Sequence, residues 1–225
     1  MSPPIVISSN LLELHVHVVC FTDCLHLLDG RFNQLHTFHV DISFISSDTL
    51  TINNEEKLPN LTCFSLCCVM HAHDYDQLIV PLLHRMLNLE KLDLHLNNVV
   101  RNKGCIDGNS LKENIINYMP QLNKFTFNIR SSKFFRNLIN LPSNEDIQHI
   151  FKEFKNQIIS CVDYFQKRQC CYCHIYSYPY RMKFYCNITN NFPGGLFKYV
   201  QIVSLYDVHS LEYEFFVKLL NFFHL

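Results

Sequence analysis

Leu89 to Asn97 reads LEKLDLHLN, and the architecture follows from how that stretch is read. It matches the full L-x-x-L-x-L-x-x-N signature of a leucine-rich repeat. Leu92 and Leu94 are two residues apart, so in an extended segment both point one way, while Lys91, Asp93 and His95 point the other. Asn97 is expected to bond the backbone of the adjacent coil.

The same spacing recurs in both directions from this stretch. Leu11, Leu14 and Val16 form one copy; Leu35, Phe38 and Val40 a second; Leu61, Phe64 and Leu66 a third; Leu122, Phe125 and Phe127 follow the quoted unit. Val200, Val203 and Leu205 are a weaker sixth. Steps between the first five are 24, 26, 28 and 33 residues, near the ~20–29 of leucine-rich repeats. Val19, Ser43, Val69 and Arg130 stand where Asn97 stands in the quoted unit. An amide precedes the leading leucine each time, as Asn10, Gln34, Asn60, Asn88 and Gln121; Pro59 and Pro120 precede two of them, a suitable stop where a helix hands over to a strand. Helical 3/4 spacing marks Tyr75–Asn88 and Ser110–Met119, the latter with Ser110 or Asn109 as a cap.

A strand–helix unit of this size has one apolar face too small to stand alone, and stacked neighbours bury it. The expected fold class is therefore α/β: a short leucine-rich-repeat-like solenoid with a parallel strand row and outer helices over residues 1–130. An ordinary α/β domain is the competing reading. From Ser131 to Pro193 the period fails, and residues 131–195 are read as an irregular Cys/Tyr-rich insertion. Within it, Asp146–Phe154 is expected as a short helix, Cys161–Cys186 as irregular strands and Asn190–Gly195 as a turn. Residues 196–225 are read as a partial terminal repeat ending in an apolar helix, Leu211–Leu225, and the whole as one structural domain. Phe222, Phe223 and Leu225 are the opposite of a polar solenoid cap, so self-association through that end is expected.

Composition narrows the function classes. Lys plus Arg is 19 against Asp plus Glu 20, a net charge of −1, which argues against a general nucleic-acid binder. Charged residues are 17% and apolar ones 48% of 225, too apolar for intrinsic disorder. Only 5 glycines leave few places for a phosphate-cradling loop. The 11 cysteines, without a basic, cleavable leader in Met1-Ser2-Pro3-Pro4-Ile5, suggest reduced, buried thiols in an intracellular protein, cytoplasmic or nuclear. No apolar run approaches the ~18 residues that span a bilayer, so no membrane partner is expected.

Four phrases carry a family likeness: Leu78–Leu92 (LIVPLLHRMLNLEKL), Tyr118–Phe127 (YMPQLNKFTF), Ser143–Ile147 (SNEDI) and Cys173–Pro179 (CHIYSYP). Through them the chain, from about Leu58 to Phe216, resembles the F-box-associated, leucine-rich-repeat-like proteins of rotifers. Members commonly carry an N-terminal F-box, which docks on the adaptor of a cullin ubiquitin ligase. Here the first motif begins by Leu11, so the resemblance implies the recognition half without an F-box ahead of it.

Signatures of catalysis are missing: there is no phosphate loop, dinucleotide glycine motif, nucleophile elbow or H-E-x-x-H. The outward strand residues are Glu13, His15, His17; Thr37, His39, Asp41; Cys63, Ser65, Cys67; Lys91, Asp93, His95; and Lys124, Thr126, Asn128. Side chains held on a rigid sheet are pre-organised for a protein ligand. Among them His15, His17, His39 and Asp41 suit a divalent transition metal if neighbouring strands bring them together. Cys170 and Cys173, with Cys171, His174, Cys161 and Cys186 nearby, are the other metal candidates. Arg130–Arg136 (RSSKFFR), with Phe134 and Phe135, is the nearest fit to a base-stacking segment, and an exposed loop explains it more simply. The expected function is a non-enzymatic protein–protein interaction scaffold, without cofactor, binding an unidentified protein, with substrate recognition for ubiquitination as its most concrete form. Zinc binding by either candidate set is one alternative, and a partial gene product without selected function another.

Overall fold

The computed structural model describes residues 8, 10–46, 56–101, 104–134, 158–165, 169–192, 194, 197–207 and 210–223. Each of the first five leucine motifs is a strand. β1 (Glu13–Cys20), β2 (Thr37–Phe44) and β3 (Cys63–Cys68) lie side by side; after the two-residue β4 (Ala72–His73) come β5 (Lys91–Val100) and β6 (Lys124–Phe134). β1, β2, β3, β5 and β6 pair in parallel in that order. Leu14, Phe38, Phe64, Leu92 and Phe125 are partners across the sheet, and so are Val16, Val40, Leu66, Leu94 and Phe127. The motif positions that correspond in the sequence are thus aligned in space. Alternation explains the burial: in β3, Phe64, Leu66 and Cys68 are fully buried while Cys63, Ser65 and Cys67 are half-exposed.

Small devices repeat at the start of each unit. Phe32, Leu58, Met86 and Met119 each sit three residues before a leading leucine, and their carbonyls accept the N–H of Leu35, Leu61, Leu89 and Leu122 at 3.0 to 3.3 Å. The amide that precedes the leucine then reaches back one unit. Asn60 Nδ2 donates to the Asn33 carbonyl and Asn88 Nδ2 to the Pro59 carbonyl, both at 2.8 Å. At the far end, Asn97 Nδ2 donates to the Val69 carbonyl at 3.0 Å, the role expected of that asparagine. Backbone groups that a strand ladder would leave open at its ends are satisfied this way.

Helices are short. α1 (Phe21–Leu27), α2 (Tyr75–Leu83) and α3 (Gly108–Asn114) lie against the inner face, and Phe21, Cys24, Leu25, Tyr75, Ile79, Leu83 and Leu111 share one core with the inward strand residues. α2 ends five residues before the expected Asn88. Arg85 N–H and Met86 N–H bond three residues back, to Leu82 and Leu83, which turns the chain towards Leu89. The cap of α3 is Asp107, whose carboxylate accepts the Ser110 N–H at 2.8 Å, not Ser110 or Asn109 themselves. Two arginines tie units together. Arg85, 5% exposed, donates to the carbonyls of Glu56 (2.7 Å) and Leu28 (2.6 Å), one in each of the two preceding units. Arg101 forks onto both oxygens of Asp76 at 3.0 and 2.7 Å.

The Cys/Tyr-rich region departs from the expected irregular insertion. β7 (Ile158–Phe165) and β8 (Cys170–Ser177) are regular strands that continue the sheet: β8 is antiparallel to β6, from Asn128–Tyr176 to Phe134–Cys170, and β7 is antiparallel to β8. The result is an α/β protein with a mostly parallel, mixed sheet and few helices. The regularity of β8 was hidden because both its faces are buried. Cys173 and Ile175 join the first core, whereas Tyr176 joins a second cluster on the opposite side with Tyr180, Tyr185, Phe192, Phe197, Phe215 and Leu219. No polar alternation remains to be read. The sixth motif forms β10 (Ile202–Leu205), yet it pairs in parallel with β9 (Phe184–Ile188) in a separate two-stranded sheet and does not extend the main row. α4 (Tyr213–Phe223) buries Phe215 and Leu219 in the second cluster and leaves Phe216 and Leu220 exposed. Asp146–Phe154, Phe135, Arg136 and Leu225, and the side chains of Phe222 and Phe223, lie outside the described residues; Phe134 is exposed at the end of β6. Among the described residues no helix is long and apolar enough to cross a membrane.

Candidate functional site

The outward side chains form three registered layers across β1, β2, β3, β5 and β6. Glu13, Thr37, Cys63, Lys91 and Lys124 make the first, His15, His39, Ser65, Asp93 and Thr126 the second, and His17, Asp41, Cys67, His95 and Asn128 the third. All the residues expected on this face are on it. Glu13, His15, His17, Asp41, Lys91 and Lys124 are exposed, and Thr37, His39, Asp93 and Thr126 are half-buried. Charge is divided along it, with Lys91 beside Lys124 at one side and Glu13 and Asp41 at the other.

Two members are not free surface. Asn128 is buried; it accepts from His174 Nε2 at 2.6 Å and donates to the Tyr180 hydroxyl at 3.3 Å. The Tyr180 hydroxyl in turn donates to the Phe184 carbonyl at 2.9 Å. His95, half-buried, lines one cavity with Tyr180, Met182 and Cys186, and burial holds it below the usual imidazole range. The second cluster thus reaches the third layer at its β5–β6 end through Tyr180. Those covering residues are distant in sequence, so the row alone gave no sign of them.

At the opposite edge the structure brings His15 and His39 together, two of the four residues expected to converge there. His15 stacks on His39, ring centroids 4.2 Å apart and 18° from parallel. Glu13 Oε1 sits 2.6 Å from His15 Nε2, and this hydrogen bond lowers the Glu13 pKa. Ligand atoms of Glu13, His15 and His39 all lie within 4.8 Å of one another, a spacing open to a single divalent cation. His17 and Asp41 face each other one layer further along and do not join this group. Glu13 was placed on the face by its spacing but not among the metal ligands; its position two residues before His15, on the same side of the strand, is the signal that points to it.

Strand geometry separates the cysteine candidates. Cys170 and Cys173 are three residues apart on β8, so their side chains point to opposite faces and do not share a site. The Cys173 thiol donates to the Ile106 carbonyl (3.6 Å), and Cys171 Sγ meets Cys105 Sγ at 3.3 Å. His174 turns to Asn128, and Cys161 donates to the Asn191 carbonyl at 3.4 Å. The described cysteines are free thiols. Contact with Cys105, then burial, pushes Cys171 up, burial raises Cys161, and burial with the nearby Asp41 carries Cys67 to about 12. Neutral thiols are poor nucleophiles and poor metal ligands. No family model, curated protein or solved structure matches the chain.

Proposed function

We propose that the chain is a non-enzymatic protein-interaction scaffold, a short leucine-rich-repeat-like solenoid that binds a protein segment across the outward side chains of β1, β2, β3, β5 and the start of β6. The observation that carries this reading is the register of the five parallel strands. It sets Glu13, His15, Thr37, His39, Lys91, Asp93, Lys124 and Thr126 in rows about 4.8 Å apart, on backbone anchored by a packed core, so little order has to be gained on binding. The resemblance to F-box-associated proteins adds a more specific role: recognition of a substrate for ubiquitination. Affinity capture with the unaltered chain and with a Lys91→Glu, Asp93→Lys double variant tests the face. Both side chains point away from the core, so folding is expected to persist while the partner is lost; equal recovery from both would count against the reading.

The grouping of Glu13, His15 and His39 supports a second reading, a divalent transition-metal site at the β1–β2 edge. Near-equimolar zinc in the purified chain, absent after His39→Ala, is the expected result under it. Chain free of metal after incubation with zinc and desalting would remove it and leave the scaffold reading in place.

A further inference from the structure

We infer that the cavity around Arg130 is an oxyanion site that takes a carboxylate or a phosphate group. Arg130 lies on β6 at the place Asn97 holds in the preceding unit. Asn97 donates to the Val69 carbonyl; Arg130 makes no such bond. Its Nη1 is buried without a hydrogen-bond partner, and no carboxylate pairs with it among the described residues. Arg31 and Arg101 instead fork onto aspartates; Arg85 also has a buried Nη1 without a partner, but its Nε and Nη2 are bonded to two carbonyls.

The space in front of Arg130 suits an anion. A cavity of about 300 Å³ is lined by Arg130, His71, Asn97, Asn98, Tyr172 and Asn187, with no carboxylate among the described residues of its wall. The Asn98 amide donates to His71 Nδ1, which leaves the ring proton on Nε2 as a further donor. The register between β5 and β6 slips between Leu96 and Val99, a bulge of the kind that re-aims side chains beside sites. Asn98 and Asn187 hold φ of 59° and 53°, left-handed turns that asparagine tolerates. A neighbouring cavity of about 220 Å³ shares Arg130, Tyr172 and Asn187 and includes Asp163. That carboxylate is engaged by the Thr189 hydroxyl at 2.6 Å and the Asn191 amide at 3.0 Å. A planar guanidinium with open donors, set among neutral donors, fits the forked geometry of carboxylate or phosphate oxygens. This inference does not depend on the scaffold reading, since it concerns the sheet end beyond the three outward layers.

Thermal unfolding of the full chain in sodium phosphate, in sodium acetate and in sodium chloride of matched ionic strength tests it. A saturating rise in Tm over chloride is expected with at least one of the two oxyanions; phosphate alone would identify a phosphoryl ligand and acetate alone a carboxylate. Arg130→Gln is expected to weaken the response by about ten- to a hundredfold, as loss of a charge-assisted bond does. A rise that persists undiminished in Arg130→Gln would reflect exclusion of salt from the surface and would overturn the proposal. Asn187→Asp offers an internal carboxylate at a φ that Asp accepts, and should raise Tm in chloride and abolish the oxyanion response. If Arg130→Gln does not fold, the Arg130 Nε–Hε resonance of the unaltered chain decides: movement during phosphate or acetate titration supports the site, and no movement with either refutes it.

Discussion

Single residues here are governed by whether a buried polar group finds its partner. The Arg101–Asp76 fork is the clearest pair, with side chains 5% and 15% exposed. Asp76→Asn removes the charge that Arg101 was buried against, and should cost about 3 kcal/mol of stability in urea unfolding, typical of breaking one side of a buried ion pair. An unchanged midpoint would mean that Arg101 reaches water. His174 is fully enclosed, and burial, reinforced by the charge of Arg130, holds it well below the usual imidazole range. Its folded pKa is depressed, so the unfolded chain binds the proton first. Stability is therefore intact above the unfolded value near ~6.5 and falls as pH drops below it, by up to ~1.4 kcal/mol per pH unit. His95 shifts in the same direction. Asp163, raised by burial, contributes with the opposite sign. His174→Gln should flatten the unfolding free energy between pH 6.5 and 5; an unchanged slope would place the titration elsewhere. The sequence showed His174 next to cysteines and suggested a ligand, whereas its hydrogen bond to Asn128 comes from a residue 46 positions away.

Elements are joined by bonds that each unit makes to the one before. The amide ahead of every leading leucine was visible in the text; its acceptor was not, because a carbonyl 27 or 29 residues earlier becomes a neighbour only when the units stack. Asn60→Ala and Asn88→Ala should each cost about 1 kcal/mol, the usual net worth of one such bond, and nearly additively, since each reaches a different carbonyl. Stability unchanged in the double variant would show that water replaces both bonds. Asp107→Ala should likewise cost about 1 kcal/mol through loss of the α3 cap. Helix boundaries were the least legible feature: periodicity located α2 and α3, but they stop at Leu83 and Asn114, short of the expected Asn88 and Met119, because the turns that end them and the cap that begins α3 depend on backbone geometry that spacing does not encode.

At the scale of the molecule, the described residues form two cores on opposite sides of one sheet, joined through β8. The aromatic cluster holds the β9–β10 pair and α4 against β7 and β8, so the two sides need not have equal stability. Tyr185, 3% exposed and in ring contact with Tyr176, Tyr180, Phe192 and Phe197, is its centre. Tyr185→Ala should remove about 3–5 kcal/mol of packing from that side. Hydrogen exchange would read it as faster exchange in β9, β10 and α4, with β2, β3 and β5 still protected. Uniform loss across the sheet would show instead that both cores open as one.

Five parallel strands, their register and their two faces were present in the sequence because period-2 alternation and a near-constant step are local properties that repetition makes legible. The family resemblance and the scaffold role remain inferences from that pattern. The turn of the sheet from parallel to antiparallel at β8 and the covering of Asn128 by His174 and Tyr180 were decided only in three dimensions. Each depends on which distant segment arrives beside a strand, and a strand buried on both faces carries no alternation to announce its neighbours.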